Sequence, residues 1–272
     1  MSRKIVWAWL ALLTLIFLAP RPLVAQGPGQ DSFAGEPLPM NRPEVAENLD
    51  QELLLLSEAK SRVWLTLRRS GRYLPIIDAA LAQAGISSDF RYLPMTLTQL
   101  SPTYQAQGRA GLWRLSQAEA KALELQITAE VDERLDPVLA STKAAQKLKS
   151  LIKVYGSNLL ALAAYIDEGS TGLALTAAGE ERNFFKIYWP ENLEKSVYQV
   201  LAGKILFGAP QNYGYLSVRS WPVLAKRRQK LTEPQSLKDL ASQNKLDYKT
   251  FREMNPHILG ETAPAGVNVY LP

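Results

Sequence analysis

Residues 73–94 read YLPIIDAALAQAGISSDFRYLP. The first part has the pattern of a helix, and Gly85 stands where a helix ends most easily, because glycine takes the left-handed terminal conformation without a steric penalty. A second Tyr-Leu-Pro follows at Tyr92–Pro94 and continues as MTLTQLSP to Pro102. From Phe90 to Arg109 no residue can carry a negative charge.

Working outward, Leu49, Leu53, Leu56, Val63 and Leu67 recur at helical spacing, which predicts an amphipathic helix over about 46–69. Downstream, Ser116–Glu119 (SQAE) is a capping-box pattern before a short helix. Asp136 and Pro137 then set an N-cap and a first helical residue, and the helix they open runs to Gly156. SNLLALAAYI is apolar on nearly every side and reads as a buried central helix. NLEKSVYQVLAGKILFG is one more helix. The tail changes character: two short helices separated by NKLD precede a terminal strand, VNVYL, with a partner expected in YLSVRSWPVLA. Strand, two helices and strand make a small βααβ unit.

The composition allows this. A chain of 272 residues, 47% hydrophobic, can bury a sizeable core. It has no cysteine, which excludes disulfides, zinc–thiolate sites and thiol nucleophiles. His257 is the sole histidine, so a histidine metal cluster or a Ser-His-Asp triad has no ligand set; it reads as a loop residue, and no metal or cofactor is expected.

The first 25 residues begin with Arg3 and Lys4, continue with an apolar run from Ile5 to Ala19, and reach Ala25 before Gln26. That is the layout of a secretory signal peptide, and a run of 15 residues is short of the roughly 20 that span a bilayer. The expected location is the periplasm or cell envelope, with membrane association only if the leader is retained. Removing Arg3, Lys4 and Arg21 leaves 28 basic against 26 acidic residues, a charge of +2 instead of +5. Nucleic-acid binding is therefore not expected. Residues 26–45, rich in Gly and Pro, read as a flexible arm.

With these elements in place, the order YLPIIDAALAQAGISSDFRYLP, AGLWRLS (110–116), EVDERLDP (130–137), LAAYI (162–166), and VLAGKIL with NYGY (200–215) resembles the lytic transglycosylases of the membrane-bound D type. The tail, with FREMNPHIL and NVYLP, is similar to the LysM-like module that follows that domain. The resemblance implies a mainly α chain: a lysozyme-like helical transglycosylase domain over 46–215, then a small βααβ LysM-like module over 216–272. It implies peptidoglycan glycan strands as the partner. In the family one glutamic acid protonates the glycosidic oxygen, and its carboxylate then helps the sugar's 6-hydroxyl close into an anhydro ring. Such an acid needs a raised pKa in a largely apolar pocket.

Counting from Leu93-Pro94, the resemblance puts the acid at Leu97 and the following serine at Thr98. Leucine cannot move a proton. The family's supporting asparagine falls on Ile166, and the tyrosine of its ET..YV motif falls on Ser196. No catalytic residue is intact. The candidate substrate contacts are Thr98, Tyr104, Trp113, Tyr165, Ile166 and Ser196, with Trp113 open to a second role as a core anchor. Asp167 and Glu168 are weak candidates for a relocated acid, and Asp89 a weaker one. Asp132, Glu133, Arg134 and Asp136 read as a helix cap with an Asp–Arg pair, and the basic run KRRQK, Lys226–Lys230, as a solvated linker face. The expectation is an exported peptidoglycan-binding protein that does not cut. The alternatives are an active lytic transglycosylase with a displaced acid, and a scaffold that binds another cell-envelope protein and no sugar.

Overall fold

The computed structural model describes residues 31–225 and 227–272; the expected leader, the start of the arm and Lys226 lie outside the described residues. The chain is mainly helical, as the sequence pattern implies. A two-stranded hairpin, β1 (Ser32–Phe33) and β2 (Glu36–Pro37), leads into helices α1 (Pro43–Glu58) and α2 (Lys60–Ala84). A short 3-10 turn precedes α3 (Tyr92–Leu97). A three-stranded antiparallel sheet follows, made of β3 (Gln105–Ala106), β4 (Arg109–Ala110) and β5 (Leu115–Ser116). Five helices complete the larger core: α4 (Gln117–Ala122), α5 (Pro137–Tyr155), α6 (Asn158–Ile166), α7 (Glu168–Ala178) and α8 (Glu191–Gly208). The tail is β6 (Arg227–Lys230), β7 (Gln235–Ser236), α9 (Leu237–Gln243), α10 (Tyr248–Met254), β8 (Thr262–Ala263) and β9 (Asn268–Leu271).

Local signals explain many of these boundaries. Gly85 ends α2 at φ 70°, ψ 35°, and Gly156 ends α5 at φ 67°. Both halves of the Ser116–Glu119 capping box form at α4, and Asp136 caps α5 by accepting from the amides of Val138 and Leu139. In α6, residues 159–165 are all buried, so the apolar helix sits at the centre of the domain. Each large aliphatic side chain hidden there contributes on the order of 1.5–3 kcal/mol. Around it α1 packs along α8 and α2 along α5, while α3 lies on α8. The last contact is close: a Cβ added to Gly203 would stand 2.0 Å from Thr96 Oγ1.

Three expectations are corrected. First, residues 31–45 are not a flexible arm. Phe33 is fully buried against Phe90, and Glu36 accepts hydrogen bonds from Ser157 and from the Asn158 amide at the start of α6. Second, the helix expected over 46–69 breaks at Ala59, and α2 runs unbroken through Gly71 and Pro75 to Ala84. Proline at position 75 removes the bond to the Gly71 carbonyl, but packing of α2 along α5 carries the helix across. Third, the partner of the terminal strand is Arg227–Lys230 and not the segment before it. Most of the basic run thus forms an edge strand, with its side chains exposed. His257 lies in a loop, as expected, and is fully buried, with Nε2 2.8 Å from the Asn268 carbonyl.

The tail has its own apolar cluster, which includes Leu237, Leu240, Phe251, Ile258, Val267 and Val269. Val131, from the loop before α5, completes it. The Asp132 amide donates to the His257 carbonyl at 2.8 Å, so tail and helical body are joined through this loop.

Candidate functional site

The α3 helix ends at Leu97, half-buried on the larger core. Thr98 turns inward. Its hydroxyl lies 2.8 Å from both the Pro94 and the Leu112 carbonyls and is shared between them. Gln99 and Leu100 then both take positive φ, 54° and 53°. Side chains other than glycine reach that region at a cost of about 1–2 kcal/mol each. The turn is held by the fully buried Leu100 side chain and by Arg69, whose Nη1 donates to the Gln99 carbonyl at 3.0 Å.

The AGLW segment closes over this turn. Gly111 has φ 76°, and a Cβ there would stand 1.8 Å from the Arg134 carbonyl, so no other residue fits. Arg134 pairs with Asp132 at 2.7 Å and points a guanidinium nitrogen at the carbonyls of Gly108 and Leu115. The Asp–Arg pair read from DER is therefore the pin that fixes the small sheet. Trp113 is fully buried, with its indole nitrogen 2.8 Å from Ser141 Oγ. The Tyr165 hydroxyl donates to the Trp113 carbonyl at 3.0 Å, and the two rings meet edge to face at 6.2 Å. Burial, and after it the nearby Glu119 charge, push the Tyr165 pKa well above the ordinary tyrosine value, so the hydroxyl stays a donor.

These facts correct three expected substrate contacts. Thr98, Trp113 and Tyr165 are interior side chains with internal hydrogen-bond partners. Tyr104 is half-buried, with the Arg114 guanidinium 5.7 Å from its ring centroid. Ile166 is half-buried against the core. Ser196, on α8, is half-buried and donates its hydroxyl to the Asn192 carbonyl of its own helix at 2.8 Å.

Beside Tyr165 stands a polar cluster that the sequence reading missed. Glu119 accepts from Lys147 Nζ at 2.5 Å and from Arg109 Nη1 at 2.9 Å, and Lys147 Nζ lies 4.8 Å from the Tyr165 ring centroid. The capping box marked Glu119 only as a helix residue. Its ion pairs reach ten residues back and 28 forward, beyond any local spacing rule.

Two carboxyls here, Glu119 and Asp167, are held below their usual pKa. Burial alone would raise Glu119, but the Lys147 and Ser116 hydrogen bonds outweigh it and hold the pKa below the usual glutamate value. Asp167 is exposed and caps α7. Its carboxylate accepts from the Ser170 amide at 3.0 Å and hydroxyl at 2.7 Å, and these bonds lower its pKa. Glu168 is exposed in the first turn of α7. Asp89 is ion-paired with Lys204 at 2.6 Å and also accepts from the Ala34 amide at 2.7 Å.

The turn after α3, the AGLW segment, the small sheet, the Tyr165 support and α7 therefore form one contiguous region of chain and space. Residues 98–173 match the Transglycosylase SLT domain. The SLT match opens at Thr98, the residue after Leu97, and ends within α7. It relates this part of the chain to lytic transglycosylases and to peptidoglycan. No curated protein matches the chain.

Proposed function

We propose that this chain is an exported peptidoglycan-binding protein, a lytic transglycosylase homologue of the membrane-bound D type that no longer cleaves its glycan, with a LysM-like tail. The observation that carries the reading is Leu97. It ends the helix where the resemblance requires the acid, and the carboxyls of Glu119 and Asp167 are held below their usual pKa instead of raised as a general acid needs. Loss of a general acid costs about 10²–10⁴ in rate, and more where one residue serves as acid and base in turn. The Trp113–Tyr165 support and the Arg134-pinned sheet are retained, which favours a kept groove over a decayed one. Tyr104, Ile166 and Ser196 are the side chains we assign to its surface.

The test uses purified protein from residue 26 onward and peptidoglycan sacculi. Co-sedimentation without release of anhydro-muropeptides is expected. Product that disappears on Asp167→Asn or Glu168→Gln substitution would instead establish a relocated acid. Failure to co-sediment would favour the scaffold that binds another envelope protein.

A further inference from the structure

A second site lies away from Leu97, where the tail meets α2. The segment joining the two is clamped to that helix. The Trp221 amide donates to the Arg68 carbonyl at 2.6 Å, and a Cβ on Gly71 would stand 2.4 Å from the Trp221 carbonyl. Between α2 and α10 this leaves a groove of about 580 Å³. Its walls bring together Arg69 and Arg72 of α2 with Lys249 and Arg252 of α10, against a single acid, Glu253.

The cations are positioned but not neutralised. Among the described residues no carboxylate comes within 4.0 Å of Arg69, Arg72 or Arg252, and Glu253 pairs only with exposed Lys249, at 3.9 Å. Arg69 is oriented by the Gln99 carbonyl, and Arg252 by the Gly260 carbonyl at 2.6 Å. Arg68 and Arg72 both place their guanidinium carbons 5.0 Å from the Trp221 ring centroid, and each has a buried Nε with no hydrogen-bond partner. Carbonyls and an aromatic face fix guanidinium geometry without cancelling charge. Converging like charges in a confined groove favour an anion.

The groove opens beside a smaller cavity of about 240 Å³ with a mostly apolar lining, including Ile76, Val138, Val223 and Met254. Arg72, Tyr73, Leu224, Glu253 and Pro256 border both spaces. A ligand that fills them needs a charged head and a short apolar arm.

We infer that this junction binds an amphiphilic oxyanion, its carboxylate or phosphate head among Arg69, Arg72, Lys249 and Arg252 and its apolar arm in the adjoining cavity. The inference does not depend on the reading of Leu97.

Isothermal titration of the protein from residue 26 onward with hexanoate, hexyl phosphate and hexanol, at matched ionic strength, tests it. At least one of the two anions is expected to bind saturably, and which one binds identifies a carboxylate or a phosphate source. Hexanol should bind about tenfold more weakly or not at all, and Arg69→Gln/Arg72→Gln should weaken the anion by about tenfold or more, as expected for loss of hydrogen bonds to a charged group. Lys249→Gln, at an exposed position, tests the same charge where folding is not at risk, and should weaken binding measurably. Absence of binding by both anions, equal binding of hexanol, or unchanged affinity in the Lys249→Gln protein would each overturn the proposal.

Discussion

The Tyr270 hydroxyl lies 2.7 Å and 2.8 Å from the two carboxylate oxygens of Asp136. The same carboxylate accepts from the amides of Val138 and Leu139 and so caps α5. One side chain therefore ties the last strand of the tail to the start of a long helix in the body. Tyr270→Phe removes a hydrogen bond to a charged group and keeps the ring, so it should cost about 1.5–3 kcal/mol. Asp136→Ala should cost more, because it also removes a cap worth about 1 kcal/mol. Urea denaturation of the two variants checks the order. A Tyr270→Phe protein as stable as the parent would show that the contact does not bind the tail.

Glycines 108 and 111 separate backbone conformation from close packing. Both take positive φ, 73° and 76°, but only Gly111 faces a neighbour, the Arg134 carbonyl at 1.8 Å from a built Cβ, while Gly108 faces open space. Gly108→Ala should therefore cost about 1–2 kcal/mol, the conformational penalty alone. Gly111→Ala must also push the sheet off Arg134 and should cost distinctly more. Thermal denaturation measures both. Equal losses would mean that the sheet shifts freely.

Much of the fold was legible because its signals are local. A glycine after an apolar helix, an aspartate before a proline and a capping box act within a few residues, and Gly85, Asp136 and Ser116 do what their spacing implies. The hairpin at Ser32–Pro37 was hidden in a Gly- and Pro-rich stretch, because what orders it is Phe33 meeting Phe90 and Glu36 meeting α6. The three-stranded sheet was missed for a related reason: its strands are two residues long, too short for alternation to register. At the site, AGLWRLS, EVDERLDP and LAAYI fall within the residues that match the SLT domain, but a motif does not carry the direction of each side chain. Sequence type made Trp113 a fair sugar platform; only its packing on Ser141 shows it to be interior.

Glu119 should dominate part of the acid limb of stability. Its folded pKa is depressed below the usual value of 4.5, so its contribution is present above that value and is lost as pH falls through the lower folded pKa. Glu119→Gln should destabilise the protein at pH 7 and flatten the loss of stability below pH about 4.5. Denaturation midpoints of parent and variant compared across that range provide the check. Curves that stay parallel would assign the acid limb to other carboxylates.

The reading of Leu97 leads to a restoration experiment with a negative expectation. A glutamate at position 97 would be half-buried against the larger core, an environment that raises a carboxyl pKa as a general acid requires. Proton supply is only part of the chemistry, since the carboxyl must also be held within about 1 Å of its working position. The Thr98 hydroxyl beside it is shared between two main-chain carbonyls, Ile166 offers no polar atom, and the Ser196 hydroxyl is bonded within its own helix. Leu97→Glu alone should therefore release no anhydro-muropeptides from sacculi above background, while Leu97→Glu combined with Ile166→Asn and Ser196→Tyr should release more than the single variant. Clear turnover by the single variant would mean that the rest of the site is intact and that Leu97 alone accounts for the loss of activity.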